Sequence, residues 1–321
     1  MSKLPDLTEQ ELNSLRGRTV IITGGASGIG RAAVLAAHGN SLSPFSDFAQ
    51  RADFTQAHGA NVTIADITED AGQALAAHLK DRILFCKTDV SDWDSVLALF
   101  EGTWEKFGAI DVVCANAGTH LQDNLLENEF DPNTGKLKAP TLKTLDVNLR
   151  GALYCAKAAV YYFSKQPDKA CQLVMTGSAA SLIDNPPLHI YCASKAGVLG
   201  LMRSLRTQLQ RKTNVTVNMV APWMTVTGML PEWVIELWGT LPANTPEGCA
   251  KALLLPAVRP EMNGSTLWVA GNEITEIEEA LHACQPHWLG ETLSTAVDEG
   301  QNRLLPLAGG DGRPDLSLKG M

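Results

Sequence analysis

The sequence predicts an α/β protein: a single-domain, doubly wound parallel sheet of about seven strands, with an insertion in its first crossover helix. Three observations carry this. Short β-branched runs alternate along the chain with longer segments of helical apolar period, the order that builds a parallel sheet with right-handed crossovers. A glycine-rich turn, TGGASGIG (residues 23–30), follows the first run and opens the first helix. The chain's 321 residues, 45% hydrophobic and 19% charged, suffice for one large core.

Taken in order, TVIITGG (19–25) is a short β-branched run ending in glycines, as a buried parallel strand meets a turn. A helix starts near Gly28. NVTIAD (61–66) is the second strand and TEDAGQALAAHLK (68–80) its helix; RILFCKTD (82–89) is the third, followed by the helix SDWDSVLALFEGTWEKF (91–107). IDVVCANAG (110–118), CQLVMTGS (171–178), NVTVNMVAP (214–222) and STLWVAG (265–271) supply the remaining strands, with helices over about 141–164 and 191–211. Residues 1–17 read as a polar leader, 18–271 as the catalytic body, 272–308 as a C-terminal extension and 309–321 as a flexible tail. EITEIEE (273–279) reads as a charged helix face.

Net charge is −9 with no long Lys/Arg run, which argues against nucleic acid or an anionic membrane as partner. Seven scattered cysteines show neither a disulfide framework nor a zinc-ligand spacing, and no metal site is expected. The N-terminus lacks a signal-like apolar core and no run of 18 apolar residues occurs, so a cytoplasmic protein is expected. The seven histidines form no cluster.

Gly24, Gly28 and Gly30 allow a tight turn, close approach of a pyrophosphate and close packing of helix on strand. The helix N-terminus offers unpaired N–H groups to phosphate. Such a cradle expects an acidic residue at the end of the second strand, about 20 residues on. Asp66 has that context but lies 36 residues beyond Gly30. Removing residues 39–56 shortens the gap to 18 and leaves the Ala-rich helix running directly into the strand. The segment is therefore an insertion in the first crossover. It is either a surface loop near the adenine end of a nucleotide site or a retained intron read in frame.

With TGGASGIG, then ANAG (115–118) and YCASK (191–195), the chain resembles the short-chain dehydrogenase/reductase family over roughly residues 18–271. More distantly it is similar to hydroxyprostaglandin-dehydrogenase-like members and to fungal members that tailor secondary metabolites. The resemblance implies a Rossmann-like fold, a nicotinamide cofactor and a site of Ser178, Tyr191 and Lys195 assisted by Asn148, the last holding a water that links the lysine to solvent. The chemistry is consistent with that. Abstracting a hydroxyl proton with a tyrosine of pKa about 10 needs help near neutrality, and Lys195 stands at i+4 from Tyr191, on the same helix face. The family's cofactor contacts carry over to Gly24, Ser27, Gly28, Ile29, Gly30, Asp89, Val90, Asn116, Ala117, Gly118, Tyr191, Lys195, Pro222 and Thr227. Asp66 and Ile67 favour NAD over NADP, because a carboxylate repels a 2′-phosphate and no arginine stands ready to receive one.

The match departs at Trp223, where the family has glycine after Pro222. Beyond it an apolar stretch, Met224 to Trp238, reads either as a lid for a bulky hydrophobic substrate or as a packing surface. The resemblance also implies a homodimer or homotetramer, since the two long helices match the pair through which family members commonly associate. The expected reaction is NAD-dependent oxidation of a secondary alcohol on a bulky apolar molecule. Two alternatives stay open: an NADPH-dependent ketoreductase, and a dinucleotide-binding protein silenced by the insertion.

Overall fold

A computed structural model describes residues 2–39, 59–121 and 124–304 of the chain. Nine strands form one sheet: β1 (Ser2–Lys3), β2 (Thr19–Thr23), β3 (Asn61–Asp66), β4 (Ile83–Lys87), β5 (Val112–Ala115), β6 (Cys171–Thr176), β7 (Val215–Pro222), β8 (Thr266–Ala270) and β9 (Glu273–Glu276). Their spatial order is β1-β9-β8-β7-β6-β5-β2-β3-β4. The seven from β8 to β4 are parallel and are the strands the sequence predicts. All five residues of β2 and all eight of β7 are buried, because helices cover both faces; this is why these strands read as unbroken apolar runs.

The helices are α1 (Glu9–Leu12), α2 (Gly28–His38), α3 (Glu69–Leu79), α4 (Trp93–Phe107), α5 (Lys143–Leu145), α6 (Gly151–Ser164), α7 (His189–Lys212), α8 (Glu232–Trp238), α9 (Pro246–Val258), α10 (Glu278–Ala283), α11 (Gln285–Leu289) and α12 (Glu291–Leu304). One core layer joins α2, α3 and α9 to the sheet; the other joins α4, α6 and α7. Ala32, Ala33, Ala36 and Ala37 are all buried, so α2 lies close against its neighbours. Each fully buried Val, Leu or Ile contributes about 1.5–3 kcal/mol.

The other two strands correct the sequence reading at both ends. EITE forms β9, antiparallel to β8, and β1 pairs in turn with β9 as the edge strand. The alternation of β9 is the signal that its charge obscured: Ile274 and Glu276 are buried while Glu273 is exposed. The polar leader also folds onto the body. Leu7, Leu12 and Leu15 enter the core, and Glu11 pairs with Arg259 at 2.8 Å, which holds the Glu11 carboxyl down at about 2. From Asn272 the extension runs along the sheet edge, where Arg203 and Arg206 of α7 clasp Glu278. No helix among the described residues is long and apolar enough to cross a membrane.

The helix expected over 141–164 starts at Lys143 and is interrupted by a π-helical turn, Asp146–Arg150. The insertion falls in the first crossover, as the sequence predicts, but its attachment points are not those of a loop near an adenine site. α2 ends at His38, capped by Gly39 at φ 120°. Gly59, past the insertion, accepts from the Gly17 amide at 3.1 Å, and His38 Nε2 donates to the Asp81 carbonyl at 2.9 Å. Both attachment points therefore lie beside the residues that precede β2 and β4, at the amino edge of the sheet. The glycine turn is at the other end of α2, about 16 Å away at 1.5 Å per residue. The insertion does not spring from the adenine end of a nucleotide site; its interior, residues 40–58, lies outside the described residues.

Candidate active site

The strand order reverses between β2 and β5, and a crevice outside the carboxyl ends of such a pair is where doubly wound sheets bind ligands. The 23–30 turn forms its floor. A Cβ on Gly30 would stand 2.0 Å from the Gly24 carbonyl oxygen, so no other residue fits without moving the turn. Gly24 and Gly28 have φ of 66° and 50°, a region that L side chains avoid. Ser27 N-caps α2 but makes no side-chain capping hydrogen bond, which leaves first-turn N–H groups for an anion. Ile29 turns its side chain toward the core and can serve a ligand only through its backbone. These residues fit a dinucleotide pyrophosphate.

Asp66, at the end of β3, accepts from the Ala26 amide at 2.9 Å with one oxygen and from the Thr68 amide at 2.9 Å with the other. It therefore braces the glycine turn. Ile67 beside it is exposed. Asp89 accepts from the Ser91 amide and hydroxyl, and buried Val90 packs so closely on Gly151 that a Cβ there would meet it at 2.8 Å.

The turn after β5 is tied to both neighbouring strands. Asn116 donates to the Thr23 carbonyl at 3.0 Å and accepts from the Thr176 hydroxyl at 3.0 Å, while the Asn116 and Ala117 amides both donate to the Thr23 hydroxyl at 2.9 Å. Gly118 fills the gap between Asn148 Oδ1 and Lys195 Nζ, each 3.3 Å from where its Cβ would be.

Ser178 caps a short 3-10 turn after β6, and its hydroxyl shares a hydrogen bond with that of Tyr191. Burial pushes the Tyr191 phenol above its usual value, and the contact with Ser178 works against that. Lys195 is buried, donates to the Thr176 carbonyl at 2.8 Å, and lies 5.7 Å from the centroid of the Tyr191 ring. Burial brings its ammonium down to about 8. Asn148, on the π turn, donates to the Thr119 carbonyl at 2.9 Å and to Ser194 at 3.0 Å, and accepts from the Thr119 amide at 2.8 Å. Ser178, Tyr191, Lys195 and Asn148 thus meet at the end of the crevice.

On the far wall, Pro222 ends β7 and Thr227 stands over Gly28, its methyl 3.5 Å from a Cβ there. Trp223 packs edge-on against Trp238 at 4.9 Å, so it anchors the seven-residue α8. The segment from Val226 to Asn244 leaves and returns at one point, where Val226 and Asn244 pair at 2.9 Å.

Sequence reasoning missed Thr23, Thr176, Ser181 and Ser194. Ser194 shares the helix face of Tyr191 and Lys195, a signal that spacing alone offered. Ser181 accepts from the Ser178 amide at 3.3 Å and donates to the Lys195 carbonyl at 2.7 Å, a long-range link with no sequence mark. It also passed over His120, whose ring meets that of Tyr191 edge-on at 6.5 Å. Four cysteines are buried, Cys86 and Cys192 half-buried and Cys284 exposed; burial pushes Cys114, Cys155 and Cys249 up to about 12. Among the described residues no three His, Cys, Asp or Glu side chains group to hold a metal ion.

A glycine phosphate turn at a strand-order switch, beside a Ser, Tyr and Lys cluster, defines a dinucleotide-dependent oxidoreductase of the doubly wound class. The family model of short chain dehydrogenases matches residues 49–237, from beyond the glycine turn into α8. The chain is 31% identical to the short-chain dehydrogenase/reductase prx4 of Penicillium roqueforti, with 89% of this chain and 84% of that one aligned. It is 34% identical to (+)-borneol dehydrogenase 1 of Salvia officinalis over 67% of this chain and 72% of that one. A short-chain type dehydrogenase/reductase from Mycobacterium marinum superposes with a TM-score of 0.66 at 25% identity, over 82% of this chain and 98% of that one. The chain belongs to the short-chain dehydrogenase family and is an oxidoreductase of ketone and alcohol chemistry.

Proposed function

We propose that the protein interconverts a secondary alcohol and its ketone on a bulky, largely apolar small molecule, using NAD, with Tyr191 as the proton-transfer group. The observation that carries this is the hydrogen bond between the Ser178 and Tyr191 hydroxyls, with Lys195 one turn further along the same helix face. When bound, the nicotinamide accepts or supplies the hydride. Ser178 holds the reacting oxygen, Tyr191 takes or gives its proton, and Lys195 favours the phenolate whenever it forms. Asn148 fixes the turn that carries Gly118 and Thr119 against that lysine.

A tyrosine raised by burial holds its proton and is poised as an acid toward a ketone, which supports the ketoreductase reading in its direction though not in its NADPH. For the cofactor, Asp66 carries a carboxylate to the ribose side with exposed Ile67 next to it, a setting that repels a 2′-phosphate. The apolar lid supports a bulky hydrophobic substrate, as does similarity to a relative named for borneol, a bicyclic alcohol. Of the finer resemblances, the fungal one is supported by the Penicillium relative; no relative among the matches described supports the hydroxyprostaglandin one. The long helices α6 and α7 support a homodimer or homotetramer. The insertion's attachment at the opposite sheet edge speaks against a chain silenced by it.

Calorimetry with NAD and NADP on the wild type and on Asp66→Ser tests the cofactor assignment. Wild-type preference for NAD, with the ratio falling about tenfold or more in the variant, is the expected result. Equal wild-type affinities contradict it.

A further inference from the structure

The lid over the site is held in three places, and they differ in kind. At its base Asn244 is a buried pin: its Nδ2 donates to the Val269 carbonyl at 2.9 Å and to the Thr225 hydroxyl at 3.3 Å, and its Oδ1 accepts from the Asn272 amide at 2.9 Å. The second half of the lid is fastened from nearby sequence, by Trp223 against Trp238 and by the Trp238 indole N–H to the Pro242 carbonyl at 3.1 Å. The first half is reached from the loop after β5: His120 Nε2 donates to the Met229 carbonyl at 2.9 Å. A carbonyl only accepts, so Nε2 carries a proton there whether the ring is neutral or charged.

His120 springs from a rigid base, since Thr119 is bonded through both amide and carbonyl to Asn148. Its ring stands at 90° to that of Tyr191. The side chain therefore spans the distance between the catalytic tyrosine and the lid. Trp233 and Leu237 of α8 are largely exposed, 65% and 80%, so little burial holds this part of the lid down and the hydrogen bond from His120 carries unusual weight.

We propose that His120 is a positioning residue that seats the lid over Tyr191 and thereby sets the apolar wall against which a bulky substrate packs. The inference rests on the reading of Tyr191 given above. A small alcohol sits at Tyr191 without reaching the lid, whereas a bicyclic one needs the lid wall, so the latch acts on KM for large substrates and leaves kcat and small substrates nearly unchanged.

Hydrogen–deuterium exchange of residues 226–238 in the NAD complex tests this without turnover. In His120→Ala exchange is expected to be about fivefold faster, the effect of one lost hydrogen bond, with residues 189–204 and NAD affinity unchanged. His120→Gln, which keeps an N–H donor, is expected to restore most of the protection. Unchanged exchange in His120→Ala, or identical acceleration in both variants, overturns the proposal. In parallel, KM for (+)-borneol is expected to rise about tenfold in His120→Ala against less than twofold for propan-2-ol, the former corresponding to one lost contact surface. Equal rises for both alcohols overturn it as well. If the wild type oxidises neither alcohol, the functional reading fails on its own, and the exchange result still decides the latch.

Discussion

The Lys195 ammonium lies 5.7 Å from the centre of the Tyr191 ring but donates its hydrogen bond to the Thr176 carbonyl, not to the phenol. The spacing of four residues places the two side chains on one face, as the sequence indicates. It does not by itself make the tyrosine acidic. In this chain burial dominates and the phenol is raised, while the same burial lowers the lysine.

A pH dependence follows from the direction of the Tyr191 shift. Oxidation needs the phenolate and is expected to climb steadily from neutral to alkaline pH, whereas reduction needs the phenol and is expected to hold near neutrality and fall at high pH. Profiles of kcat/KM in both directions check this, and an oxidation rate that is flat from acid to alkaline pH contradicts it.

Lys195→Met separates catalysis from stability. Loss of the cation is expected to lower kcat/KM about a hundredfold. Stability moves in the other direction. The folded value of about 8 lies below the ordinary 10.5, so below 8 both states hold the proton and the burial cost is fully present. As pH rises from 8 to 10.5 the unfolded chain holds more protons than the folded one, and wild-type stability rises. Melting curves are expected to show the variant gaining most over wild type at pH 7 and least near pH 10.

Gly30→Ala is expected to abolish NAD binding and to lower stability by about 1–3 kcal/mol or more, the range of an overpacked site. The new methyl must displace the Gly24 carbonyl, which its Cβ would approach to 2.0 Å. Calorimetry and denaturant melts measure the two effects.

Deletion of residues 39–56 tests the placement of the insertion. Because Gly39 and Gly59 both lie toward the amino edge of the sheet, away from the glycine turn, NAD affinity is expected to stay within about threefold of the full chain, below the tenfold that 1.4 kcal/mol would bring. A large gain on deletion would show that the insertion reaches the cofactor crevice.

Much of this was legible in the sequence, for physical reasons that also mark where the reading stops. Parallel strands buried on both faces announce themselves as apolar runs, so the seven central strands were readable. The charged Glu273–Glu276 strand was hidden because only alternate residues, Ile274 and Glu276, are buried, and one of the two is a carboxylate. Tyr191 and Lys195 were found through helical spacing, and Gly30 through the need for a tight turn. Ser181, Asn244 and His120 act across 14, 25 and 109 residues of sequence, and no local pattern reports such contacts. Trp223 was visible as a departure, but its partner, Trp238, emerges only when the lid folds back on itself.

The central claim is that Tyr191 transfers the proton while the crevice holds the dinucleotide. Tyr191→Phe keeps the ring and removes the hydroxyl, so its NADH affinity and its reduction of a bulky apolar ketone that the wild type turns over should be measured together. The account predicts wild-type NADH binding with turnover reduced about a thousandfold, the scale of a lost general acid. Turnover within a few fold of wild type, with binding intact, would contradict it.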